Sequence, residues 1–113
     1  MSGISTHVLD IALGRPAVGV SVSLELRVGT GWTRLAEAAT DESGRAGNLL
    51  QSPGAFQRGT YRLRFDAGSY FRVQGVETFY SEVCITFEVR NPAEHYHVPL
   101  LLSPWGYTTY RGS

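Results

Sequence analysis

Hydrophobic and polar residues alternate along most of this chain with a period of two, which is typical of β-strands with one buried face. The alternation is clearest over residues 18–28, where serine, glutamate and arginine separate five apolar positions, Val20, Val22, Leu24, Leu26 and Val28. The same pattern predicts further strands over residues 4–11, 32–40, 60–66, 81–90, 95–102 and 105–111.

Glycine-rich and polar segments separate these strands at short intervals. Gly29-Thr30-Gly31 predicts a hairpin turn, and Asp41-Glu42-Ser43-Gly44-Arg45 predicts a second turn in which Gly44 takes a positive φ. Residues 48–58 read as a connecting loop around Pro53-Gly54, and residues 67–75 lack strand alternation and predict one short helix. Seven or eight short strands separated by such turns predict an all-β fold, an antiparallel β-sandwich.

The strand over residues 95–102 carries two histidines on one face. A period of two places His95, His97, Pro99 and Leu101 together, opposite an apolar face of tyrosine, valine and leucine. Ser103-Pro104 ends the strand, because proline lacks the N–H that a ladder needs. Residues 105–111 then predict the returning strand.

Length and charge narrow the class of protein. A chain of 113 residues predicts a single domain spanning residues 1–113. Its ten basic residues, all arginine, balance ten acidic residues, which argues against nucleic acid or a membrane surface as a partner. One cysteine, Cys84, excludes an intrachain disulfide, and no signal peptide or membrane span is expected. A cytoplasmic location follows as the expectation.

Three histidines and one arginine are the candidate metal-binding or substrate-binding residues. His95 and His97 share a face and could supply half of a zinc site, with His7 as the third ligand. A histidine on a strand is more often a packing or solvated residue, and the sequence does not constrain the distance from His7 to the pair. Arg45 follows the turn glycine and could clamp an anion or a carbonyl oxygen through its planar donors.

Three segments of the chain together resemble the transthyretin-related 5-hydroxyisourate hydrolases. They are Ser5-Thr6-His7-Val8-Leu9-Asp10 with Gly14-Arg15-Pro16-Ala17, then Thr40-Asp41-Glu42-Ser43-Gly44-Arg45, and finally His95 through Pro104 with the tail Tyr110-Arg111-Gly112-Ser113. The tail is the most specific of these motifs. One departure is Ser81-Glu82, where the family usually has Pro-Glu at the entry to a strand.

The resemblance implies an enzyme that hydrolyses 5-hydroxyisourate to 2-oxo-4-hydroxy-4-carboxy-5-ureidoimidazoline, in urate degradation, without a metal or organic cofactor. It implies that His7, Arg45 and His97 are catalytic, and that Tyr110, Arg111 and Ser113 contact the substrate. One histidine would remove a proton from the attacking water while the other orients that water or protonates the leaving nitrogen. Neither the sequence nor the resemblance decides which histidine is the base, and the role of His95 stays open.

The resemblance also implies a transthyretin-like homotetramer, a dimer of dimers, with active sites in the channel between dimers. Two other functions remain open at this point. A transthyretin-like carrier would bind an aromatic small molecule in the same channel, and a zinc-dependent amidohydrolase would use His7, His95 and His97 as metal ligands.

Overall fold

The protein is a sandwich of two β-sheets, described here by a computed structural model over residues 3–47, 49–50 and 56–113. Seven strands in this part of the chain have four or more residues, two strands have only two, and there is one short helix. In chain order they are β1 (Gly3–Asp10), β2 (Arg15–Pro16), β3 (Ser21–Val28), β4 (Gly31–Ala39), β5 (Arg45–Ala46), β6 (Gly59–Phe65), α1 (Ala67–Val73), β7 (Val83–Val89), β8 (His95–Ser103) and β9 (Gly106–Thr109).

The first sheet has the order β2-β1-β8-β9, with β5 also paired to β1, and the second has the order β4-β3-β6-β7. The predicted β-sandwich is therefore confirmed. One pairing, between β1 and β8, is parallel, whereas the other pairings are antiparallel. No hairpin joins β1 to β8, so no tight turn forces these two strands to run in opposite directions.

The core lies between the sheets and is built from the apolar face of each strand. In β8 the predicted alternation is confirmed, since Tyr96, Val98, Leu100 and Leu102 are buried while His95 is exposed. The largest fully buried side chains come from both sheets and the helix: Tyr61, Phe65, Phe71, Ile4, Leu24, Leu63, Leu100, Leu102, Val8, Val20, Val22 and Val83.

The polar face of β3 is more buried than the alternation predicts. Glu25 is only 6% exposed. Its carboxylate pairs with Arg62 and, at 3.5 Å, with Arg64, both on the neighbouring strand β6. The Arg62 guanidinium also lies over the ring of Trp32, 4.1 Å from its centroid. A central strand is covered by long side chains from both neighbours, which simple alternation along one strand does not reveal.

The short helix α1 confirms the helix predicted over residues 67–75, although it ends earlier, at Val73. Asp66 caps its N-terminus by accepting a hydrogen bond from the Ser69 main-chain N–H at 3.1 Å. The loop predicted over residues 48–58 falls largely on residue 48 and residues 51–55, which lie outside the described residues. Within the described part of the chain, no helix has the length and apolar character needed to cross a membrane.

Asp10 ties the helix to the first sheet. This aspartate ends β1 and is 1% exposed. Its Oδ1 accepts hydrogen bonds from the Ala12 and Leu13 main-chain N–H groups, each at 3.0 Å, and its Oδ2 accepts one from the Tyr70 hydroxyl at 2.7 Å. Burial, together with the bond to Asp10, raises the pKa of Tyr70 to about 12. The tyrosine thus remains a donor over the whole physiological range.

We expect Tyr70→Phe to lower the free energy of unfolding by about 1–3 kcal/mol, because it leaves a buried carboxylate oxygen without its donor. Denaturant unfolding at a fixed protein concentration measures the change. Tyr107→Phe is the matched control, since Tyr107 is 38% exposed and should lose little. Equal stability of both variants would show that Tyr70 does not anchor the helix through Asp10.

Candidate active site

The outward face of the first sheet gathers the candidate residues from distant parts of the sequence. In the parallel pairing of β1 with β8, Ser5 lies opposite His97 and His7 lies opposite Pro99. On the other side of β1, Arg45 of β5 pairs with His7. Paired residues project to the same face of a sheet. Ser5, His7, Arg45, His95 and His97 therefore share one surface, which we call the histidine face.

Ser5 bridges the two histidines of β8. Its Oγ lies 2.7 Å from Nε2 of His95 and 2.8 Å from Nδ1 of His97. A hydroxyl has one proton to donate, so it can donate to one of these nitrogens only and must accept from the other. Ser5, His95 and His97 thus form a hydrogen-bonded chain, and the Nε2 of His97 has no hydrogen-bond partner among the described residues.

His7 is held by the turn that precedes β5. Its Nε2 donates to the Ser43 carbonyl oxygen, 2.8 Å away. Because a carbonyl can only accept, the proton of neutral His7 lies on Nε2 and its Nδ1 carries a lone pair. His7 therefore presents an acceptor nitrogen at the histidine face.

Asp41 and Gly44 determine the conformation and position of this turn. Asp41 Oδ1 accepts hydrogen bonds from the main-chain N–H groups of Ser43 and Arg45 and from the Ser43 hydroxyl, at 2.9, 3.0 and 2.7 Å, and these bonds lower the pKa of Asp41. Gly44 has the predicted positive φ, 80°, and a Cβ there would lie 2.4 Å from the Val8 carbonyl oxygen. Only glycine lets the turn approach β1 so closely, which places exposed Arg45 beside His7.

The C-terminal tail continues beside β8 after β9 and pairs with it again at His97. The Gly112 N–H donates to the His97 carbonyl oxygen at 2.8 Å, and the two residues form an antiparallel bridge. A Cβ on Gly112 would lie 2.7 Å from Cδ2 of the His97 ring. Glycine at this position thus lets the tail lie against the imidazole. Ser113 follows directly and is exposed.

Tyr110 and Arg111 lie in different surroundings from His97. The Arg111 guanidinium pairs with Glu94 at 3.1 Å and lies over the Tyr96 ring, 4.4 Å from its centroid. Together with Tyr110 it lines a cavity of about 180 Å³, whose other walls include Phe87 of the second sheet. The contacts of Arg111 with Glu94 and the Tyr96 ring anchor the tail beside β8. Substrate contacts by Tyr110 and Arg111 remain a prediction.

His97 lies in surroundings that favour its neutral form. Burial and, after it, the positive charges that His7, His95 and Arg45 can carry lower the pKa of His97 below its ordinary value of 6.5. As the pH falls to 6.5, where an unperturbed histidine is half protonated, His97 stays mostly neutral. A neutral imidazole with a free Nε2 can accept a proton from water.

The zinc alternative finds no support in the geometry. Among the described residues, which include all three histidines, no three His, Cys, Asp or Glu side chains converge as a metal site requires. A separate open groove of about 640 Å³ lies beside α1 and is lined by residues such as Arg15, Asp66 and Tyr70. None of the predicted site residues lines it.

Sequence reasoning missed two contributors to the site. Ser5 occupies the same face of β1 as His7, so alternation could have drawn attention to it. Its contact with His95 and His97 depends on the register between β1 and β8, which the sequence does not specify. The Ser43 carbonyl is a main-chain group, and no residue pattern points to it.

The sequence and the fold are similar to those of known proteins. A model of the HIUase/Transthyretin family matches residues 4–112. A 5-hydroxyisourate hydrolase from Caulobacter vibrioides is 46% identical over 117 residues, which span 100% of both chains. The solved structure of the Klebsiella pneumoniae 5-hydroxyisourate hydrolase has a TM-score of 0.89 and 37% identity, and covers 100% of both chains.

A second kind of protein shares the fold. The structure of sea bream transthyretin in complex with thyroxine has a TM-score of 0.91 and 32% identity, over 96% of this chain and 93% of that one. The backbone alone therefore does not separate a 5-hydroxyisourate hydrolase from a transthyretin that binds thyroxine. The resemblance seen in the sequence is nevertheless confirmed at the level of the family: this chain belongs to the HIUase/Transthyretin family.

Proposed function

We propose that this protein is a 5-hydroxyisourate hydrolase. The observation that carries the proposal is the gathering of His7, Arg45 and His97 on one face, by strands from distant parts of the sequence, with Gly112 of the tail paired to His97. The hydrolases named above, from Caulobacter vibrioides and Klebsiella pneumoniae, match the chain over its whole length and support the choice of substrate.

In the proposed reaction, water attacks a ring carbonyl of 5-hydroxyisourate and the six-membered ring opens at the C–N bond. The water oxygen joins the carbonyl carbon, one water proton passes to a base, and the leaving nitrogen gains a proton. The product is 2-oxo-4-hydroxy-4-carboxy-5-ureidoimidazoline. The new carboxyl group ionises at neutral pH, so one proton per turnover is released to solvent.

His97 is the proposed general base. Its lowered pKa keeps it neutral near pH 7, and its Nε2 has no hydrogen-bond partner within the described part of the chain. His7 presents the lone pair of Nδ1, since its Nε2 donates to Ser43, and would orient the water or accept from the substrate.

Arg45 is the proposed clamp for the oxygen on which negative charge develops. Its side chain is exposed beside His7, and the turn that carries it is fixed by the Asp41 hydrogen bonds. A pre-positioned guanidinium stabilises such charge without having to reorganise during the reaction. Ser113, with Tyr110 and Arg111, is proposed to contact the substrate, and the scheme needs neither a metal nor an organic cofactor.

A carrier of an aromatic small molecule is the second candidate, because the sea bream transthyretin structure contains thyroxine on the same fold. The ultraviolet absorbance of freshly prepared 5-hydroxyisourate, followed with and without the protein, distinguishes the two. Faster decay with protein supports the hydrolase. Decay at the spontaneous rate, together with saturable thyroxine binding, would favour the carrier instead.

A homotetramer is part of the proposal, with active sites completed where dimers meet and with a cytoplasmic location. The support for the homotetramer is an apolar surface larger than a single sandwich of this size needs to expose. Phe79 is 70% exposed, Trp105 65% and Tyr110 56%, and Ile11 and Leu13 are each more than half exposed. Large apolar side chains at this density are typical of surfaces that pack against a partner.

We expect His97→Ala and His7→Ala each to lower turnover of 5-hydroxyisourate by roughly 10²–10⁴-fold, the usual contribution of a positioned acid or base. Initial rates on variants with wild-type circular dichroism and oligomeric state measure this. His95→Ala is the comparison and should lose much less. Near-normal turnover in either of the first two variants would remove that histidine from the mechanism.

Arg45→Lys should be nearly as inactive as Arg45→Ala. Lysine keeps the positive charge but loses the planar set of donors that holds an oxygen from two directions. Values of kcat and KM for both variants decide the point. If lysine restores most of the rate, Arg45 acts as a simple positive charge and the clamp is refuted.

We expect Gly112→Ala to lower kcat by about tenfold or more, because its Cβ would meet the His97 ring at 2.7 Å and displace it. Gly106→Ala is the matched control, since a Cβ at Gly106 meets nothing within 4 Å. Both variants should unfold like the wild type. Equal kcat in the two variants would show that the tail does not position His97.

Light scattering coupled to size-exclusion chromatography should give a mass of about four times the 12.4 kDa of one chain. Activity measured across a dilution series should fall as the tetramer dissociates. A stable monomer with full activity would contradict a site shared between subunits.

A further inference from the structure

The hydrogen bonds that link His95, Ser5 and His97 support a further inference, which rests on the proposed role of His97 as the base. Two hydrogen bonds meet at one hydroxyl, at 2.7 and 2.8 Å, and the three residues belong to two strands held in fixed register. Because a hydroxyl can donate only one proton, this geometry leaves two arrangements of protons.

In the first arrangement His97 carries its proton on Nδ1 and donates it to Ser5, whose own hydroxyl proton is donated to Nε2 of His95. The Nε2 of His97 then bears a lone pair. In the second arrangement every bond is reversed, so that His95 donates to Ser5, Ser5 donates to Nδ1 of His97, and the proton of His97 lies on Nε2. Only the first leaves His97 able to take a proton from water at Nε2.

We propose that Ser5 and His95 are positioning residues that hold His97 in the tautomer protonated on Nδ1, so that its Nε2 faces the reaction as a base. His95 accepts the Ser5 proton and so keeps Ser5 available as an acceptor for His97. In this role His95 contacts neither water nor substrate at the reacting carbon.

The same chain stabilises the charged form of His97 that follows proton transfer. When Nε2 takes a proton from water, the ring becomes an imidazolium and its Nδ1–H donates more strongly to Ser5. Burial and, after it, the positive charges that His7, His95 and Arg45 can carry disfavour this cation, as the lowered pKa of His97 indicates. A polarised hydroxyl beside Nδ1 offsets part of that cost, and exposed His95 links it to solvent.

Two variants and a control test the assignment. Ser5→Ala removes the hydroxyl, and Ser5→Thr restores one at the same position. Ser103→Ala removes a serine hydroxyl from the same sheet that donates to the Gly106 carbonyl, at 2.9 Å, and contacts no histidine. Long-range ¹H–¹⁵N spectra of the imidazole rings report which nitrogen of His97 is protonated, and this reading does not depend on enzyme activity.

Wild-type protein and Ser103→Ala should show neutral His97 protonated on Nδ1, whereas Ser5→Ala should lose this preference. The value of kcat for 5-hydroxyisourate should fall about tenfold in Ser5→Ala with little change in KM, the factor that one hydrogen bond of ordinary strength controls. Ser5→Thr should restore both the tautomer and most of kcat.

A wild-type His97 protonated on Nε2 overturns the proposal without any variant, so a misfolded Ser5→Ala would not leave it undecided. An unchanged tautomer in folded Ser5→Ala also overturns it, and so does a Ser5→Ala variant in which KM changes while kcat does not fall. If the wild type does not accelerate the hydrolysis at all, the proposed function fails, while the spectra still decide the state of the histidine.

Discussion

The register of the parallel pair β1–β8 is the constraint on which the site depends. It runs without interruption from Gly3 opposite His95 to Asp10 opposite Leu102. A slip of one residue would turn the opposite face of one strand outward, and Thr6 or Val8 would replace Ser5 and His7 at the surface. The buried side chains of both strands prevent such a slip, because it would expose Ile4, Val8 and Leu100 to water. The apolar core thus fixes the distances among the histidines.

Two glycines complete the site by allowing close approach. Gly44 lets the Asp41–Arg45 turn lie against β1, and Gly112 lets the tail lie against His97. In both places a methyl group would meet an atom already present. Arg45 therefore reaches the histidine face through backbone geometry, and among the described residues its side chain forms no ion pair of the kind that Arg62 and Arg64 form with Glu25.

Much of the fold could be predicted from the sequence, because alternation reports directly which face of a strand is buried. The strands β7 and β8 follow it closely, whereas β3 is buried on both faces along most of its length. The sequence pattern did not predict the features that depend on neighbouring strands, such as the burial of a polar side chain or the direction of a strand. Glu25 is buried because of side chains on an adjacent strand, and the direction of β1 relative to β8 follows from how the two sheets pack. Family motifs pointed to His7, Arg45 and His97, whereas Ser5 became visible only once the register was known.

The two sheets differ in how far apart along the sequence their strands lie. In β4-β3-β6-β7, a hairpin joins β3 to β4, the connection from β6 to β7 contains α1, and the longest separation, from β3 to β6, is about thirty residues. In the first sheet β1 pairs with β8, a partner about ninety residues away along the chain. Closing so long a loop is entropically costly and slow compared with forming a hairpin. During folding, we expect the β3–β4 hairpin to form before β8 pairs with β1, and the second sheet that grows from it to serve as the surface on which the histidine-bearing strands assemble. Catalytic competence would then be the last property that the chain acquires as it folds.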